Sequence, residues 1–238
     1  MKASVLMITY NGIKYIEQQI LSIIENLESE DELIISDDGS QDGTVELIEL
    51  YKKHYPNIIL VRGPHSGIAA NVSNAFQYSS CDILFFSDQD DEWLPGKIKR
   101  MKEMFKKNAA INVIMHDGFI CDEKNVVTST NETIFHKRNP KHGVINNIIK
   151  STYYGCCMAF RRSFLEKYMP LSSKLLAYDQ FLGLCAEHQR TSFFMDEQFI
   201  KHRYHGLNQS NRQSLYNQFK NRAIVFTQYL IYKEGIKK

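Results

Sequence analysis

The chain has 238 residues, of which 43% are hydrophobic and 24% are charged, with 12 Gly and 5 Pro. These values exclude a disordered chain, a collagen-like repeat and a small disulfide-stapled domain. The formal net charge is +2, but segment 212–238 has six basic side chains and one acidic one, so it carries +5 and residues 1–211 carry −3. An acidic body argues against a nucleic-acid binder, which spreads positive charge over its main face.

Membrane and disulfide signals are missing from the sequence. No apolar run is long enough for a transmembrane helix, and the first residues lack the pattern of a signal peptide. The five cysteines are odd in number and form no C-x-x-C pair, which favours reduced thiols over a zinc ribbon or a disulfide framework. We therefore expect a cytoplasmic protein.

The first half of the chain alternates short apolar runs with helical patterns. Strands are predicted at 4–9, 32–36, 58–61 and 82–87, and helices at 15–27, 44–54 and 68–78. Because continuous apolar strands separated by helices form βαβ units, we predict an α/β fold with a mainly parallel central sheet flanked by helices. In such a sheet, ligands bind beyond the carboxyl ends of the strands, which here are the loops after residues 9, 36, 61 and 87.

The second half is less regular. We predict a helix from Pro95 to about Lys107, short strands at 111–115 and 118–121, and a long polar loop at 122–142. Further helices are predicted at 144–149, 178–187 and 215–232.

Acidic residues follow two of the predicted strands. Asp37 and Asp38 come after the second, and the run Asp88-Gln-Asp-Asp-Glu92 comes after the fourth. Clustered carboxylates repel one another unless a cation or hydrogen-bond donors compensate them, and Mg²⁺ or Mn²⁺ prefers such oxygen ligands beside phosphates. The alternative is a solvated acidic turn. Glycine-rich phosphate motifs of the dinucleotide-binding and P-loop types are absent from the sequence, so a metal would have to meet the phosphates of any nucleotide.

Four motifs together resemble the family 2 glycosyltransferases. They are Thr9-Tyr-Asn-Gly12, Ser36-Asp-Asp-Gly-Ser-x-Asp-Gly-Thr44, Gly67-x-x-x-Asn71 and Ser87-Asp-Gln-Asp-Asp-x-Trp93. The resemblance implies the GT-A fold and an inverting transfer from a nucleotide-diphosphate sugar. Tyr178-Asp179 and Arg203-Tyr-His-Gly-x-Asn208 make the chain most similar to the bacterial rhamnosyltransferase-like branch and extend the resemblance to about residue 211.

The resemblance places the donor nucleoside at the first two loops. Thr9, Tyr10 and Asn11 would line the base and ribose pocket. Asp37 or Asp38 would accept a hydrogen bond from the N3–H group of the base, which is the imide donor of a pyrimidine.

The resemblance places the donor phosphates at the later loops. Asn71 falls where the family has a polar or basic contact to the nucleotide. Asp88 would touch the ribose or a metal-bound water, and Asp90 would ligate a divalent cation across the diphosphate. Asp91 is a second candidate ligand.

The second half would supply the remaining active groups. Asp179 occupies the family position of the general base that deprotonates the acceptor, although Tyr178 stands where the wider family often has Glu. Without the resemblance, Asp179 would be interpreted as an acid that favours a helix N-terminus. His205 resembles a late metal ligand, with His202 as its competitor, and Arg203 is a candidate for neutralising the diphosphate.

Several other residues have two interpretations. Residues 155–162 resemble the acceptor-side strand of the family, with core packing as the alternative. Trp93 likewise either supports a sugar ring or packs in the core. Cys156 and Cys157 lack an obvious activating partner, so we expect them to be unreactive core thiols.

We divide the chain into a catalytic domain at 1–211 and a basic helical extension at 212–238. The extension combines apolar side chains with positive charge, which suits an anionic membrane surface at the inner face of the cell membrane. Docking on the catalytic body or on a second subunit is the alternative. Its charged residues are Arg212, Lys220, Arg222, Lys233, Glu234, Lys237 and Lys238.

The sequence thus predicts a metal-dependent inverting glycosyltransferase that moves a sugar, such as rhamnose from dTDP-rhamnose, to a glycan or a lipid-linked saccharide. Two alternatives stay open. One is a UDP-sugar donor, such as a UDP-hexose or UDP-galactofuranose, on the same fold. The other is a catalytically silent subunit that binds a nucleotide or a glycan.

Overall fold

The computed structural model describes residues 1–205 and 215–233, and within them an eight-stranded sheet forms the centre of the fold. The strands are β1 (Ala3–Thr9), β2 (Glu32–Asp37), β3 (Ile58–Arg62), β4 (Ile83–Ser87), β5 (Glu92–Trp93), β6 (Val113–Cys121), β7 (Met158–Arg161) and β8 (Ser192–Arg203). Their order in the sheet is β3-β2-β1-β4-β7-β6-β8-β5.

Helices flank this sheet. They are α1 (Ile16–Ile24), α2 (Thr44–His54), α3 (Ile68–Gln77), α4 (Lys97–Lys107), α5 (Ile134–Arg138), α6 (Val144–Ile149), α7 (Arg162–Leu165), α8 (Tyr178–Gln189) and α9 (Leu215–Lys233). A single 3-10 turn at Gly155–Cys157 leads into β7.

The first four strands form the predicted parallel arrangement. β1 lies between β2 and β4, and the registers Thr9↔Asp37 and Met7↔Ser87 bring their carboxyl ends to one edge. The strand interiors are fully buried because helices cover both faces, as their continuous apolar sequences predicted. The loops after β1, β2 and β4 therefore meet at one edge.

The second half of the sheet is mixed. β7 pairs antiparallel with both β4 and β6, β8 runs parallel to β6, and the two-residue β5 pairs antiparallel with β8. β8 was not predicted from the sequence, because its apolar run is broken by the exposed Asp196 and Glu197. Its pairing with β6 also shifts register between His116 and Asp117, as expected for a bulged strand.

Two predictions for residues 111–142 were wrong in detail. The two short strands are one strand, β6, which passes so close to β8 that a side chain at Gly118 would overlap Ile200. The predicted loop at 122–142 contains α5, which begins at a cap where Thr133 accepts a hydrogen bond from the His136 backbone. Asp117 also accepts one from the Phe135 backbone at 2.8 Å, which fastens α5 to β6.

The C-terminal helix α9 packs on α8. Val225 and Tyr229 are buried, and the Tyr229 hydroxyl lies 3.1 Å from His188 Nδ1. Docking on the catalytic body is thus the contact that the described part of this helix makes. The predictions for Asn208, Arg212, Glu234, Lys237 and Lys238 lie outside the described residues. Among the residues that are described, helices long and apolar enough to cross a membrane are absent.

Candidate active site

Gln89 joins the loop after β4 to the loop after β1. Its Oε1 accepts hydrogen bonds from Thr9 Oγ1 at 2.5 Å and from the Tyr10 backbone at 2.9 Å, while its Nε2 donates to the Tyr10 carbonyl at 3.1 Å. A side chain at Gly12 would overlap the Gln89 amide. Thr9 is buried and Tyr10 is 59% exposed, so this contact fixes the backbone while leaving the Tyr10 ring free to cover a ligand.

The carboxylates after β2 hold the turn in which they lie. Asp37 is buried and accepts hydrogen bonds from the Gly39 and Ser40 backbone N–H groups, and Asp38 accepts one from the His65 backbone at 2.7 Å. Asn11 adopts a left-handed φ of 48°, and its side chain accepts a hydrogen bond from the Gln41 backbone. These contacts give the turn a fixed shape beside Tyr10.

Asn71 lies at the beginning of α3 with both ends of its amide engaged. Its Nδ2 donates to the Ser36 carbonyl at 2.9 Å, and its Oδ1 accepts from the Ser36 hydroxyl at 2.5 Å. The side chain is only 3% exposed, and a Cβ at Gly63 would stand 2.7 Å from its Oδ1. In this structure Asn71 therefore ties α3 to β2, and its contact with a nucleotide stays a prediction.

Three carboxylates crowd the loop after β4. Burial, with the charges of Asp91 and Asp90, raises the pKa of Asp88 to about 8. Burial and the Asp91 charge also raise the pKa of Asp90, against the opposing hydrogen bond from His205. Repulsion of this kind is relieved when a cation joins the group, so the loop has the electrostatics of a cation site.

Asp91 is compensated by His202. The Asp91 carboxylate is fully buried and lies 2.8 Å from His202 Nδ1, and it also accepts the Arg203 backbone N–H at 3.2 Å. Burial favours the neutral forms, but the mutual attraction prevails, so the pKa of Asp91 is lowered and that of His202 is raised. Asp91, His202 and Cys156 offer ligand atoms within 4.8 Å of one another. The raised pKa of His202 and the lowered pKa of Asp91 favour the charged forms of both side chains, so we interpret the group as an ion pair.

Asp90 meets His205 instead. The Asp90 Oδ2 atom lies 2.7 Å from His205 Nε2, and the His205 ring stacks on Tyr15 with centroids 4.8 Å apart. A carboxylate and an imidazole side by side offer the oxygen and nitrogen ligands that Mn²⁺ accepts. The predicted pair of metal ligands is thus brought together, whereas the competing His202 faces Asp91.

Arg203 holds several loops around this pair. Its guanidinium donates to the Asp90 carbonyl at 2.9 Å, to the Glu123 carbonyl at 2.9 Å and to Gln18 Oε1 at 2.8 Å. It also lies 5.0 Å from the centre of the Tyr15 ring. Arg203 is 3% exposed, so its evident role is to position the Asp90 loop. Its contact with a diphosphate stays a prediction.

Asp179 stands at the beginning of α8, next to the end of β4. The ring of its neighbour Tyr178 lies 5.5 Å from that of Phe86, and the charge of Asp179 contributes to the raised pKa of Asp88. Burial raises the pKa of Asp179 itself, opposed by hydrogen bonds from the Gln180 and Gly155 backbones and by the charge of Arg138. A carboxylate with a raised pKa is a better proton acceptor than an ordinary aspartate.

Lys97 is a buried cation that sequence reasoning missed. Its Nζ donates to the Cys156 carbonyl at 2.9 Å and lies 3.8 Å from the centre of the Trp93 ring. Burial lowers the pKa of Lys97 to about 8, against the attraction of nearby groups including Asp91. Trp93 is 2% exposed, so it packs in the core and holds this cation. Lys97 belongs to no recognisable motif, and Gln89 lies inside the motif Ser87-Asp-Gln-Asp-Asp-x-Trp93, which carried no signal of its contacts with Thr9 and Tyr10.

The donor set fits a divalent cation. Burial and the neighbouring carboxylates raise the pKa values of Asp88 and Asp90, and Asp90 Oδ2 lies 2.7 Å from His205 Nε2, so oxygen and nitrogen ligand atoms stand together. The Asp91 charge is paired with His202 through Oδ1, but its buried Oδ2 has no hydrogen-bond partner among the described residues, so one ligand oxygen at this loop is unused.

Comparison with known proteins identifies a matching family and several relatives. The model of "Glycosyl transferase family 2" matches residues 4–169. The dTDP-rhamnosyl transferase RfbG of Shigella flexneri is 32% identical over 127 residues, which are 51% of this chain and 41% of that protein. The chain spans about half the length of the curated relatives it matches.

Solved structures have the same fold. Staphylococcus aureus TarS 1-349 in complex with UDP-GlcNAc superposes with a TM-score of 0.72 at 17% identity, over 94% of this chain and 66% of that one. The mannosyltransferase PcManGT of Pyrobaculum calidifontis, in complex with GDP-Man and Mn²⁺, superposes with a TM-score of 0.60 at 15% identity, over 82% of this chain and 54% of that one. The predicted GT-A fold is confirmed.

Proposed function

The chain belongs to glycosyl transferase family 2, and from that premise we propose that it is a metal-dependent, inverting enzyme. The proposed reaction moves a sugar from a nucleotide diphosphate to a hydroxyl group of a glycan or a lipid-linked saccharide. The observation that carries the proposal is that Asp88, Asp90, His205 and Asp179 converge at one edge of the sheet. The groups proposed to hold a cation for the diphosphate therefore lie in the same place as the carboxylate proposed to deprotonate the acceptor.

The proposed donor is dTDP-rhamnose. The 32% identity with the dTDP-rhamnosyl transferase RfbG supports this choice. The exposed Tyr10 ring also supports it, because its loop adjoins the turn of Asp37 and Asp38 through the hydrogen bond from the Asp38 backbone to the Thr9 carbonyl. A pyrimidine presents an imide N–H to such carboxylates and a flat face to such a ring. A UDP-sugar has the same pyrimidine features, and TarS binds UDP-GlcNAc on this fold, so a UDP-sugar is the alternative donor.

Asp179 is the proposed general base. It would accept the proton of the acceptor hydroxyl while that oxygen attacks the anomeric carbon from the face opposite the diphosphate, which inverts the configuration. The raised pKa of Asp179 suits this role, and the hydrogen bond from Gln180 at 2.8 Å holds its carboxylate at the beginning of α8.

Asp90 and His205 are the residues proposed to hold the divalent cation. When bound, Mn²⁺ or Mg²⁺ would supply positive charge for the departing diphosphate. The presence of Mn²⁺ in PcManGT supports this assignment. Arg203 would keep the Asp90 loop in position through its contact with the Asp90 carbonyl.

A donor screen tests the proposal. Release of nucleoside diphosphate is measured with dTDP-rhamnose and with UDP-sugars, each with Mn²⁺, with Mg²⁺ and with EDTA, in the presence of saccharide acceptors. We expect turnover with dTDP-rhamnose that EDTA abolishes. The Asp90→Asn and Asp179→Asn variants should each lose about 10²–10⁴-fold in kcat, whereas Asp196→Asn, at an exposed site on β8, should retain full activity.

Two results would contradict it. Near wild-type turnover by Asp90→Asn or Asp179→Asn would refute the role of that residue. Absence of turnover with every donor, metal and acceptor, in a protein that still binds nucleotide, would favour the silent binding subunit instead.

For location, we propose the cytoplasmic side of the cell membrane, where nucleotide sugars meet lipid-linked acceptors. The partly exposed Phe226 and Ile231 on α9 support contact with a membrane or a second subunit. A vesicle-flotation experiment with anionic lipid tests it, and recovery of the protein only in the bottom fraction would contradict it.

A further inference from the structure

A basic pocket lies between α5, the end of α6 and the end of β8. It has a volume of about 220 Å³, and it adjoins a second hollow of about 160 Å³ through the shared residues Arg138 and Lys150. The larger pocket is lined by Ile120, Ile134, Lys137, Arg138, Lys150, Tyr154, His202 and Tyr204. Pockets for whole drug-sized ligands measure about 300–1,000 Å³, so this one suits a charged substituent of a larger ligand.

The lining of the pocket carries three basic side chains and no acidic one, although Asp117 and Asp91 lie behind it. Residues 133–165 contain no Asp or Glu, and segment 133–150 contributes four Lys or Arg side chains. Lys150 Nζ donates to the Lys137 carbonyl at 3.2 Å, so the ammonium group of Lys150 lies against α5. The nearest acidic partner of Lys137 is Glu132, at 3.9 Å and half exposed, and a pair of that kind contributes little. The positive charge is therefore available to a ligand.

Arg138 connects this pocket to the proposed base. Its Nη2 atom donates to the Tyr154 hydroxyl at 2.5 Å, with the guanidinium 4.4 Å from the centre of the Tyr154 ring. Tyr154 directly precedes Gly155, where a Cβ would stand 2.9 Å from the hydroxyl of Tyr178, the chain neighbour of Asp179. On its other side the Tyr154 ring contacts His202, the partner of Asp91. The pocket is therefore beside the acceptor half of the site, and none of the proposed nucleotide contacts lines it.

Apolar side chains stand next to this charge. Ile145 and Ile149, one turn apart on α6, are 74% and 66% exposed. Ile149 also lines the second hollow, together with Arg138, Lys141 and Lys150. A cationic pocket bordered by exposed isoleucines matches a ligand that carries phosphate and hydrocarbon next to each other.

We propose that the α5–α6 pocket binds the phosphate end of a lipid-linked acceptor, with Lys137, Arg138 and Lys150 on the phosphate and Ile149 on the first carbons of the lipid. This inference rests on the proposed function. It assigns the anchoring of the acceptor to α5 and α6, so that a saccharide hydroxyl reaches Asp179 while the lipid stays at the surface.

Binding of farnesyl diphosphate to the full chain tests the proposal. Isothermal titration is carried out in EDTA and without nucleotide, so that neither a metal nor a donor contributes. We expect saturable binding that weakens about tenfold for each charge-assisted hydrogen bond removed, and hence about a hundredfold in Lys137→Gln/Lys150→Gln. The matched control Lys53→Gln/Lys107→Gln removes the same charge from exposed helix positions and should bind like the wild type.

A second probe, inorganic pyrophosphate, separates the lipid from the phosphate. Ile149→Asn should weaken farnesyl diphosphate several-fold and leave pyrophosphate unchanged. Equal affinity of the two probes, with no effect of Ile149→Asn, would overturn the lipid part of the proposal. Equal affinity of the double lysine variant and its control would overturn the site itself.

Failure of the proposed function gives a different result. Asp90→Asn should lose transfer activity and yet bind farnesyl diphosphate as the wild type does. A protein that binds the probe through Lys137 and Lys150 but turns over no donor would refute the enzyme while leaving the pocket intact.

Discussion

Removing His202 leaves the carboxylate of Asp91 buried without its counter-ion. Asp91 is fully buried, its Oδ2 has no hydrogen-bond partner among the described residues, and His202 is 2.8 Å from its Oδ1. Breaking a buried ion pair from one side costs about 3–5 kcal/mol. Domains are stable by about 5–15 kcal/mol, so we expect His202→Ala to fold with a much smaller margin. The expected fall in Tm is roughly 6–20 °C for a chain of this size.

The effect should depend on pH in a defined direction. The pKa of His202 is raised in the folded protein, so its contribution to stability is complete below about pH 6.5 and is lost as the pH rises through the raised value. The pKa of Asp91 is lowered, so its contribution is present above about pH 4 and is lost as the pH falls through that lowered value. The difference between wild type and His202→Ala should therefore be larger at pH 6 than in alkaline solution.

Urea unfolding followed by circular dichroism measures this difference. His54→Ala, at the exposed end of α2, is the control and should change the free energy of unfolding by less than about 1 kcal/mol. A loss below about 1 kcal/mol for His202→Ala at pH 6 would refute the ion pair, and an equal loss at both pH values would refute the charged state of His202.

Three further predictions concern activity. Because the pKa of Asp179 is raised and a base acts only when deprotonated, kcat should fall as the pH decreases through a midpoint above the ordinary aspartate value, and a pH–rate profile that stays flat down to pH 4 would contradict this. His205→Ala should raise the Mn²⁺ concentration for half-maximal activity at least about tenfold, measured by metal titration; an unchanged midpoint would remove His205 from the metal site. Gln89→Ala loses hydrogen bonds to Thr9 and Tyr10, so the donor KM should increase about tenfold in initial-rate assays, and an unchanged KM would show that these loops hold their shape without it.

The βαβ half of the fold could be predicted because its strands are continuous apolar runs with clear helices between them. β8 could not, since Asp196 and Glu197 interrupt its pattern and its pairing with β6 depends on a register shift far along the chain. Helix α5 was missed for a related reason: its short segment is held by a hydrogen bond to Asp117 that only the folded chain brings near.

The candidate active site could also be predicted from the sequence only in part. Motifs identified Asp90 and His205 as a pair although 115 residues separate them, and the structure places them 2.7 Å apart. The partner of Asp91 could not be chosen in advance, because His202 and His205 are three residues apart at the end of β8 and only the folded structure shows which acid each one meets. Lys97 acts through burial and a backbone contact that no motif records, and the motif that contains Gln89 does not show that this side chain binds the Tyr10 backbone.

The antiparallel strand β7 stands between two sections of the sheet. One section is formed by β1 to β4, and the other is formed by β6, β8 and β5. The section that carries the proposed nucleoside contacts is contiguous in sequence and ends with β4, which pairs with β7 over a short register; side-chain contacts such as Arg203–Gln18 and Gln89–Thr9 also join it to the rest. A chimera that exchanges residues 1–87 between relatives would thus replace the donor section as one cassette. The acid–histidine pairings Asp91–His202 and Asp90–His205 would both remain with the recipient. We therefore expect such a chimera to take the donor preference of the inserted section and to keep the acceptor preference of the recipient.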